Sequence, residues 1–427
     1  MIALGMFVLA LALLLVGIPV AFVFGGVALL FALLVPGLGL DVFSLLPFRI
    51  YGIMGNTTLM AVPLFIAMGL VLEKSLMAEK LLETMSALFR GIRGGLAVSV
   101  VLVGAMLAAS TGIVSASVVM MSIIALPLML RAGYDKGLAT GTVAASGTLG
   151  QIIPPSIILI ILGDVMSVSV GELFMGAVLP GLVLVGLYIV YILIYAYLKP
   201  EAAPAAKERD EVGIVKTLAA IAPPLLLMTA VLGSIFAGIA SPTESAAFGV
   251  VGALVLSAFN GTLGMPMVKY ALSETVKLSG MIFMILIGAT AFSLVFNELG
   301  GSDVVLDFFS HDIGNVWVFI GVSMLAIFLL GFFIDFIEIS FIVVPILVPV
   351  MEAFGIDPVW FAVLIALNLQ ASFLTPPFGL ALFFLKGAAG SSVTTGDIYR
   401  GIVPFILLQL LAIGIVILFP DLVFAFL

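Results

Sequence analysis

Apolar runs of about 18 residues or more recur from one end of the chain to the other, broken by short clusters of charge, glycine and proline. A run of that length crosses the hydrocarbon layer of a bilayer as a helix, so the pattern predicts an all-α polytopic membrane protein. In the first half it predicts spans over 2–18 and 20–36, joined at Gly17-Ile18-Pro19, and a further span over 57–72. Segment 73–93, with Glu73, Lys74, Glu79, Lys80 and Glu83, reads either as an amphipathic helix lying on the membrane surface or as an ordinary connector. An apolar stretch over 94–130 follows, then a crossing over 137–162 interrupted at Pro154-Pro155 and a return over 176–198. KPEAAPAAKERDE (199–211) is the one clear linker. The second half predicts elements over 217–240, 245–260, 278–297, 316–351, 358–385 and 401–420, with Thr243-Glu244 capping the helix that starts at 245.

The two halves repeat one another. QIIPPSI (151–157) and FLTPPFG (373–379) each set a double proline in an apolar, otherwise helical stretch, 222 residues apart. The same offset carries Pro127 onto Pro349, Gly133 onto Gly355 and Asp135 onto Asp357. An internal repeat with a broken helix in each half points to the binding site of a secondary transporter.

Charge then orients the spans. Lys and Arg mark the cytoplasmic side and fall in groups: Lys74 to Arg93, Arg131 with Lys136, and Lys199 to Lys216. Both ends of 94–130 are therefore cytoplasmic, which predicts a re-entrant hairpin with AASTGIVSAS (108–117) at its tip; two full spans with a minimal loop is the alternative. Segment 316–351 has only acidic flanks, so a second hairpin is expected to enter from the opposite face with GFFIDFIEIS (331–340) at its tip. The expected organisation is an inverted pair: 1–198 (scaffold 1–93, hairpin 94–130, broken helix 137–162, span 176–198), a cytoplasmic linker at 199–216, and 217–427 (scaffold 217–297, hairpin 316–351, broken helix 358–385, final span 401–420).

Composition agrees and removes other classes. Of 427 residues 64% are hydrophobic and 9% charged, against about 25% charged in soluble chains. The absence of cysteine excludes disulfides, thiolate metal sites and cysteine nucleophiles. There is no P-loop, no GxGD pattern and only one histidine, His311, so no enzyme chemistry is expected. The first residues lack a basic region and a cleavage site and read as a retained span.

The breaks carry the candidate chemistry. Proline removes an N–H and displaces the carbonyl four residues earlier, here Gly150 and Gln151 in one half and Ser372 and Phe373 in the other. Unwound backbone survives in a bilayer only where protein or a polar cavity surrounds it. With Thr148, Ser156, Asn368 and Thr375 beside them, these carbonyls make an oxygen-rich, weakly charged cage suited to Na⁺; a purely structural kink is the alternative. Helix N-termini at the two hairpin tips suit an anionic substrate. Asp335 and Glu338 are either cation or proton ligands or solvated groups at a vestibule. Asn56 either lines the substrate cavity or caps a helix, and Ser117, Thr148, Ser156, Glu338 and Asn368 complete the expected cavity lining.

Essentially the whole chain resembles the large membrane subunit of TRAP (tripartite ATP-independent periplasmic) transporters. The resemblance is carried by STGIVSASVVMMSIIALPLMLRAGYDKGLATGTVAASGTLGQIIPPSIILIILGD (110–164), GFFIDFIEISFIVVPILVPV (331–350), NLQASFLTPPFGLALFFLKG (368–387) and SPTESAAFGVVGAL (241–254). The first hairpin resembles the branch labelled mannitol/chloroaromatic-type. The resemblance implies a sodium-driven importer of organic acids in a bacterial or archaeal inner membrane, with no cofactor beyond the coupling ion and no nucleic-acid partner. It implies a periplasmic binding protein that delivers substrate, a small four-helix membrane subunit that braces the scaffold and is not fused here, and an elevator movement of hairpins and broken helices. One Na⁺ is implied at Ser110, Thr111, Gly112, Ser115, Gly150, Ile152 and Pro155, and a second at Gly331, Asp335, Ser372, Thr375 and Phe378. The STGIVSAS tip departs from the SGSS-like tips of many members. A stand-alone sodium- or proton-coupled carboxylate or ion transporter of the same fold is the competing expectation.

Overall fold

The structure, a computed structural model, describes residues 2–111, 114–205 and 214–427. Every regular element among them is helical. Among the described residues seven helical stretches are long and apolar enough to cross a membrane, and shorter apolar helices accompany them. The chain is an all-α polytopic membrane protein.

The first half opens with α1 (Ile2–Leu15) and α2 (Val20–Leu34), hinged where Gly17 takes a positive φ. A short helix, α3 (Leu46–Met54), follows a 3-10 turn over Leu40–Leu45, in a stretch where the apolar pattern predicts no span. Its Phe48, Tyr51 and Met54 are all exposed, on a helix too short to register as a span. The expected span 57–72 is α4 (Ala61–Lys74), and the expected surface segment is α5 (Met77–Leu88), bent 61° from it. The left-handed backbone of Leu76 makes that bend. Next come α6 (Gly95–Thr111) and α7 (Val114–Arg131), then α8 (Lys136–Thr148), a turn through the prolines, α9 (Ile157–Val165) and α10 (Val170–Leu198).

The second half contains α11 (Ile214–Phe236), α12 (Pro242–Phe259), α13 (Met265–Glu298), α14 (Gly301–Asp307) and α15 (Val316–Leu330). A turn then leads through α16 (Phe336–Glu338) and a π turn to α17 (Val344–Ala353). The chain continues with α18 (Pro358–Phe373), α19 (Leu380–Ala389) and α20 (Thr395–Leu418). Two expectations need correction here. The span expected over 278–297 is the end of a 34-residue helix that starts at Met265, and Glu274 and Lys277 pair at 2.6 Å on its polar part. The cap of α12 is Ser241 rather than Thr243: Ser241 and Glu244 form a reciprocal capping box, while the Thr243 hydroxyl donates to the Thr57 carbonyl at 2.5 Å.

Packing follows the repeat. α2 packs on α13 while α12 packs on α4; α8 packs on α20 while α18 packs on α10; α7 packs on α19 while α17 packs on α9. Each element thus meets the register partner of its own neighbour. The α8–α20 crossing is so close that a Cβ on Gly401 would lie 1.9 Å from the Gly137 carbonyl oxygen, so only glycine fits there.

Candidate functional site

The two broken helices begin alike. Asp135 caps α8 by accepting from the Leu138 N–H at 3.0 Å, and Asp357 caps α18 by accepting from the Trp360 N–H at 3.0 Å. Before them, Gly133 and Gly355 both take positive φ, closing α7 and α17. At the other ends, Pro154-Pro155 and Pro376-Pro377 are both cis.

At the first break Gly150, Ile152 and Pro155 are buried, and α6 and α7 both pack against the turn over Leu149–Gln151. Ser115, in the first turn of α7, is half-buried. Gly112 lies outside the described residues, as do the side chains of Ser110 and Thr111. The Ser156 hydroxyl donates to the Gln151 carbonyl at 2.6 Å, so one of the carbonyls displaced by proline is satisfied within the break. In the second half Phe378 stands at that register, and no hydroxyl is there for the Phe373 carbonyl.

The second break meets the 331–340 turn directly. Gly331 lies against Ser372: a Cβ added to the glycine would come within 2.1 Å of Ser372 Oγ. The rings of Phe333 and Phe378 stand 4.9 Å apart, and those of Phe336 and Phe373 6.4 Å. The Ser372 hydroxyl donates to the Leu369 carbonyl at 2.7 Å and that of Thr375 to the Ala371 carbonyl at 2.8 Å. Their protons are committed to the helix, which leaves oxygen lone pairs directed away from it. Asp335 accepts from the Phe336 N–H at 2.7 Å and caps the turn. Glu338 is 6% exposed, and its Oε2 has no hydrogen-bond partner.

A cavity of about 340 Å³ opens beside these residues. Its walls come from the α1–α2 hinge (Gly17, Ile18), the start of α7 (Ser115), the 331–340 turn (Asp335, Glu338) and the second broken helix (Phe373). A larger cavity of about 580 Å³, between α4, α5, α7 and α13, shares Ser115 and Phe384 with it and reaches Lys74 and Glu79.

Of the six residues expected to line a substrate cavity, Glu338 lines this one. Ser117, Thr148, Ser156 and Asn368 are buried between helices. Asn368 donates to the Met324 carbonyl at 2.7 Å, and Thr148 donates to the Ala145 carbonyl at 2.9 Å. Asn56 accepts from the N–H groups of Thr58 and Leu59 and donates to Asp164, so its side chain caps the entry to α4 and ties it to the end of α9. Small hydroxyl and amide side chains in a bilayer serve backbone and helix contacts as readily as ligands, and sequence reading did not separate the two. It also passed over the side-chain amides of Gln151 and Gln370, buried beside the breaks, whose only signal is a polar residue inside an apolar stretch.

Apolar helices, two broken helices and a cavity beside the second break are the features of a multi-pass membrane protein built for transport. The family model described as the DctM component of the tripartite ATP-independent periplasmic transporter matches residues 7–422. The chain therefore belongs to the TRAP transporter large permeases, proteins of the inner membrane that transport and are not enzymes. It is 30% identical to the C4-dicarboxylate TRAP transporter large permease protein of Pseudomonas aeruginosa, over 85% of this chain and 84% of that protein. It is also 30% identical to the sialic acid TRAP transporter large permease protein of Vibrio cholerae, over 96% of this chain and 95% of that protein. The crystal structure of the Alcanivorax borkumensis YdaH transporter, described as having an unusual topology, shares the fold: TM-score 0.66 at 14% identity, over 97% of this chain and 99% of that one.

Proposed function

We propose that this permease drives uptake of organic acids with a Na⁺ gradient, receiving its substrate from a periplasmic binding protein and braced by a small four-helix membrane subunit. The observation that carries the Na⁺ reading is the meeting of the 331–340 turn with the second break at Gly331 and Ser372. Oxygen groups gather at that junction: the Ser372 and Thr375 hydroxyls, whose protons go to helix carbonyls, and the Asp335 carboxylate on the facing turn. Oxygen ligands with one carboxylate suit a hard monovalent cation. Among the described residues no group of three His, Cys, Asp or Glu side chains could hold a metal of another kind.

The two halves form inverted repeats over 1–198 and 217–427, with hairpins over 94–130 and 316–351 entering from opposite faces. Hairpins and broken helices move as one block against a scaffold of α1–α5 and α11–α13. The cavity supports this division, because its wall from the α1–α2 hinge belongs to the scaffold and its remaining walls to the block. The small subunit covers exposed apolar faces of the scaffold, such as Phe22 and Leu33 on α2 and Phe248 and Val251 on α12.

Reconstitution in proteoliposomes tests the reading. Uptake requires both the cognate binding protein and an inward Na⁺ gradient. Uptake without the binding protein would favour a stand-alone transporter, and uptake driven equally well by choline would remove Na⁺ coupling.

A further inference from the structure

The bond between Asn56 and Asp164 crosses a boundary. Asn56 stands at the entry to α4, in the scaffold, and Asp164 at the end of α9, the second part of a broken helix in the block. The sense of the amide is fixed by its other bonds. Its Oδ1 accepts from the N–H groups of Thr58 and Leu59 at 2.9 and 3.2 Å, so its NH₂ faces outward and donates to the Asp164 carboxylate. Lys80 with Asn260 and Thr243 with Thr57, by contrast, bond within the scaffold, and Asn368 with Met324 and Gln370 with Thr148 within the block.

Asp164 lines a polar recess of about 450 Å³ between the α9–α10 loop and the scaffold residues Thr58, Ile235, Ala240 and Pro242. The loop covers part of that scaffold surface. A Cβ on Gly171 would lie 3.4 Å from Ile235 Cγ2, and Ile235 is buried.

The equivalent seam of the other half is built differently. At the 222-residue offset Asn56 corresponds to Leu278 and Asp164 to Lys386. Leu278 lines the 580 Å³ cavity, which reaches Lys74 at the far end of α4. Lys386 donates to the carbonyls of Gly390 and Val393, at 2.8 and 2.7 Å, within its own loop. One seam is thus bonded across while its repeat counterpart borders a cavity. A block that slides on a scaffold closes one seam as it opens the other, and a charge-assisted bond across a seam favours the state that closes it.

We propose that Asn56 and Asp164 form a latch in the transport cycle, holding the block where the 580 Å³ cavity is open and parting when the block moves. This rests on the division into block and scaffold proposed above.

The test places a single reporter, Ile235→Cys, in the full chain in lipid nanodiscs and measures its rate of labelling by a polar maleimide. That rate follows the population in which the α9–α10 loop has left the scaffold. Asn56→Asp keeps the acceptor that caps the entry to α4 but sets a second carboxylate against Asp164. It is expected to speed labelling at least about tenfold. Adding Asp164→Asn restores the bond with donor and acceptor exchanged, and is expected to return the rate to within about twofold of its starting value. Asp164→Ala, which leaves the Asn56 cap intact, is expected to speed labelling as Asn56→Asp does. An unchanged rate in both single variants, or a double variant as fast as Asn56→Asp, overturns the latch and leaves movement of the block standing. A short cross-link between Val119→Cys on α7 and Leu278→Cys on α13, both in the wall of the 580 Å³ cavity, ties block to scaffold before labelling. It is expected to cancel the acceleration. Acceleration that survives the cross-link shows the loop opening on its own, which overturns the latch and the division into block and scaffold together.

Discussion

Gln370 donates its side-chain N–H to Thr148 Oγ1 across 3.5 Å, and the two positions stand 222 residues apart. That is the offset that relates Asp135 to Asp357 and Pro154 to Pro376. Equivalent positions of a two-fold repeat approach one another only near its axis. The contact joins the last turn of α8 to the last turn of α18, and the inverted repeat proposed above would have its axis there. Both side chains are buried, and Gln370 Oε1 has no partner.

The first prediction concerns this pair. Thr148→Val keeps the volume but leaves the Gln370 amide buried without its acceptor, and is expected to destabilise the protein by about 1–3 kcal/mol. Gln370→Leu removes the amide, and the double variant is expected to be less destabilised than the sum of the singles by about 1 kcal/mol. Thermal unfolding of the purified variants measures the cycle; strict additivity would show that the two side chains do not interact.

Gly331 and Ser372 give a second prediction. Gly331→Ala places a methyl group on the serine hydroxyl and is expected to cost about 1–3 kcal/mol and to weaken Na⁺-dependent stabilisation. Ser372→Gly opens the space again, so the double variant is expected to recover folding stability but not Na⁺ response, since one oxygen ligand is gone. Recovery of both would show that Ser372 serves packing alone.

The cap pair supplies a third. Asp135→Ala and Asp357→Ala each remove one side-chain acceptor from a helix start and are expected to cost about 1 kcal/mol, with Asn at either position restoring most of it. Equal losses at the two sites would follow from their equal geometry, and unfolding midpoints of the four variants measure this.

Thr375→Val gives a fourth. Removing one oxygen at nearly constant volume is expected to raise the Na⁺ concentration for half-maximal uptake several-fold, by analogy with the loss of one hydrogen bond of about 1 kcal/mol. An unchanged Na⁺ dependence would exclude the Thr375 side chain as a ligand.

Much of this architecture is legible in the chain because local rules govern it. A run of apolar residues long enough to span the bilayer, an aspartate three residues ahead of the N–H it caps and a double proline at a break each act within a few residues. The expected breaks at 154–155 and 376–377 and the expected helix starts at 137 and 358 fall where such signals stand, the first helix beginning one residue earlier at Lys136. Contacts between distant segments leave no such trace. Nothing near Ile18 says that it walls a cavity with Phe373, and nothing near Gly331 says that its missing side chain makes room for Ser372. Ser156 shows the converse: its hydroxyl is visible in sequence, but its engagement with the Gln151 carbonyl is not. Helix α3 leaves no such signal because its nine residues are too short for a span and Phe48, Tyr51 and Met54 are exposed.

The account turns on the two halves being inverted, since inversion sets the two hairpin tips toward each other around the breaks. The chain has no native cysteine, so single cysteines can report sidedness without background. Arg93 and Arg131 flank the first hairpin, and Asn315 and Glu352 flank the second; all four are exposed. Labelling with a membrane-impermeant maleimide in right-side-out and inverted vesicles is the direct measurement. The expected result is labelling of both arginine positions from the cytoplasmic face and of both second-hairpin positions from the periplasmic face. Arg93 and Arg131 labelling from opposite faces, or all four positions from one face, would contradict the account.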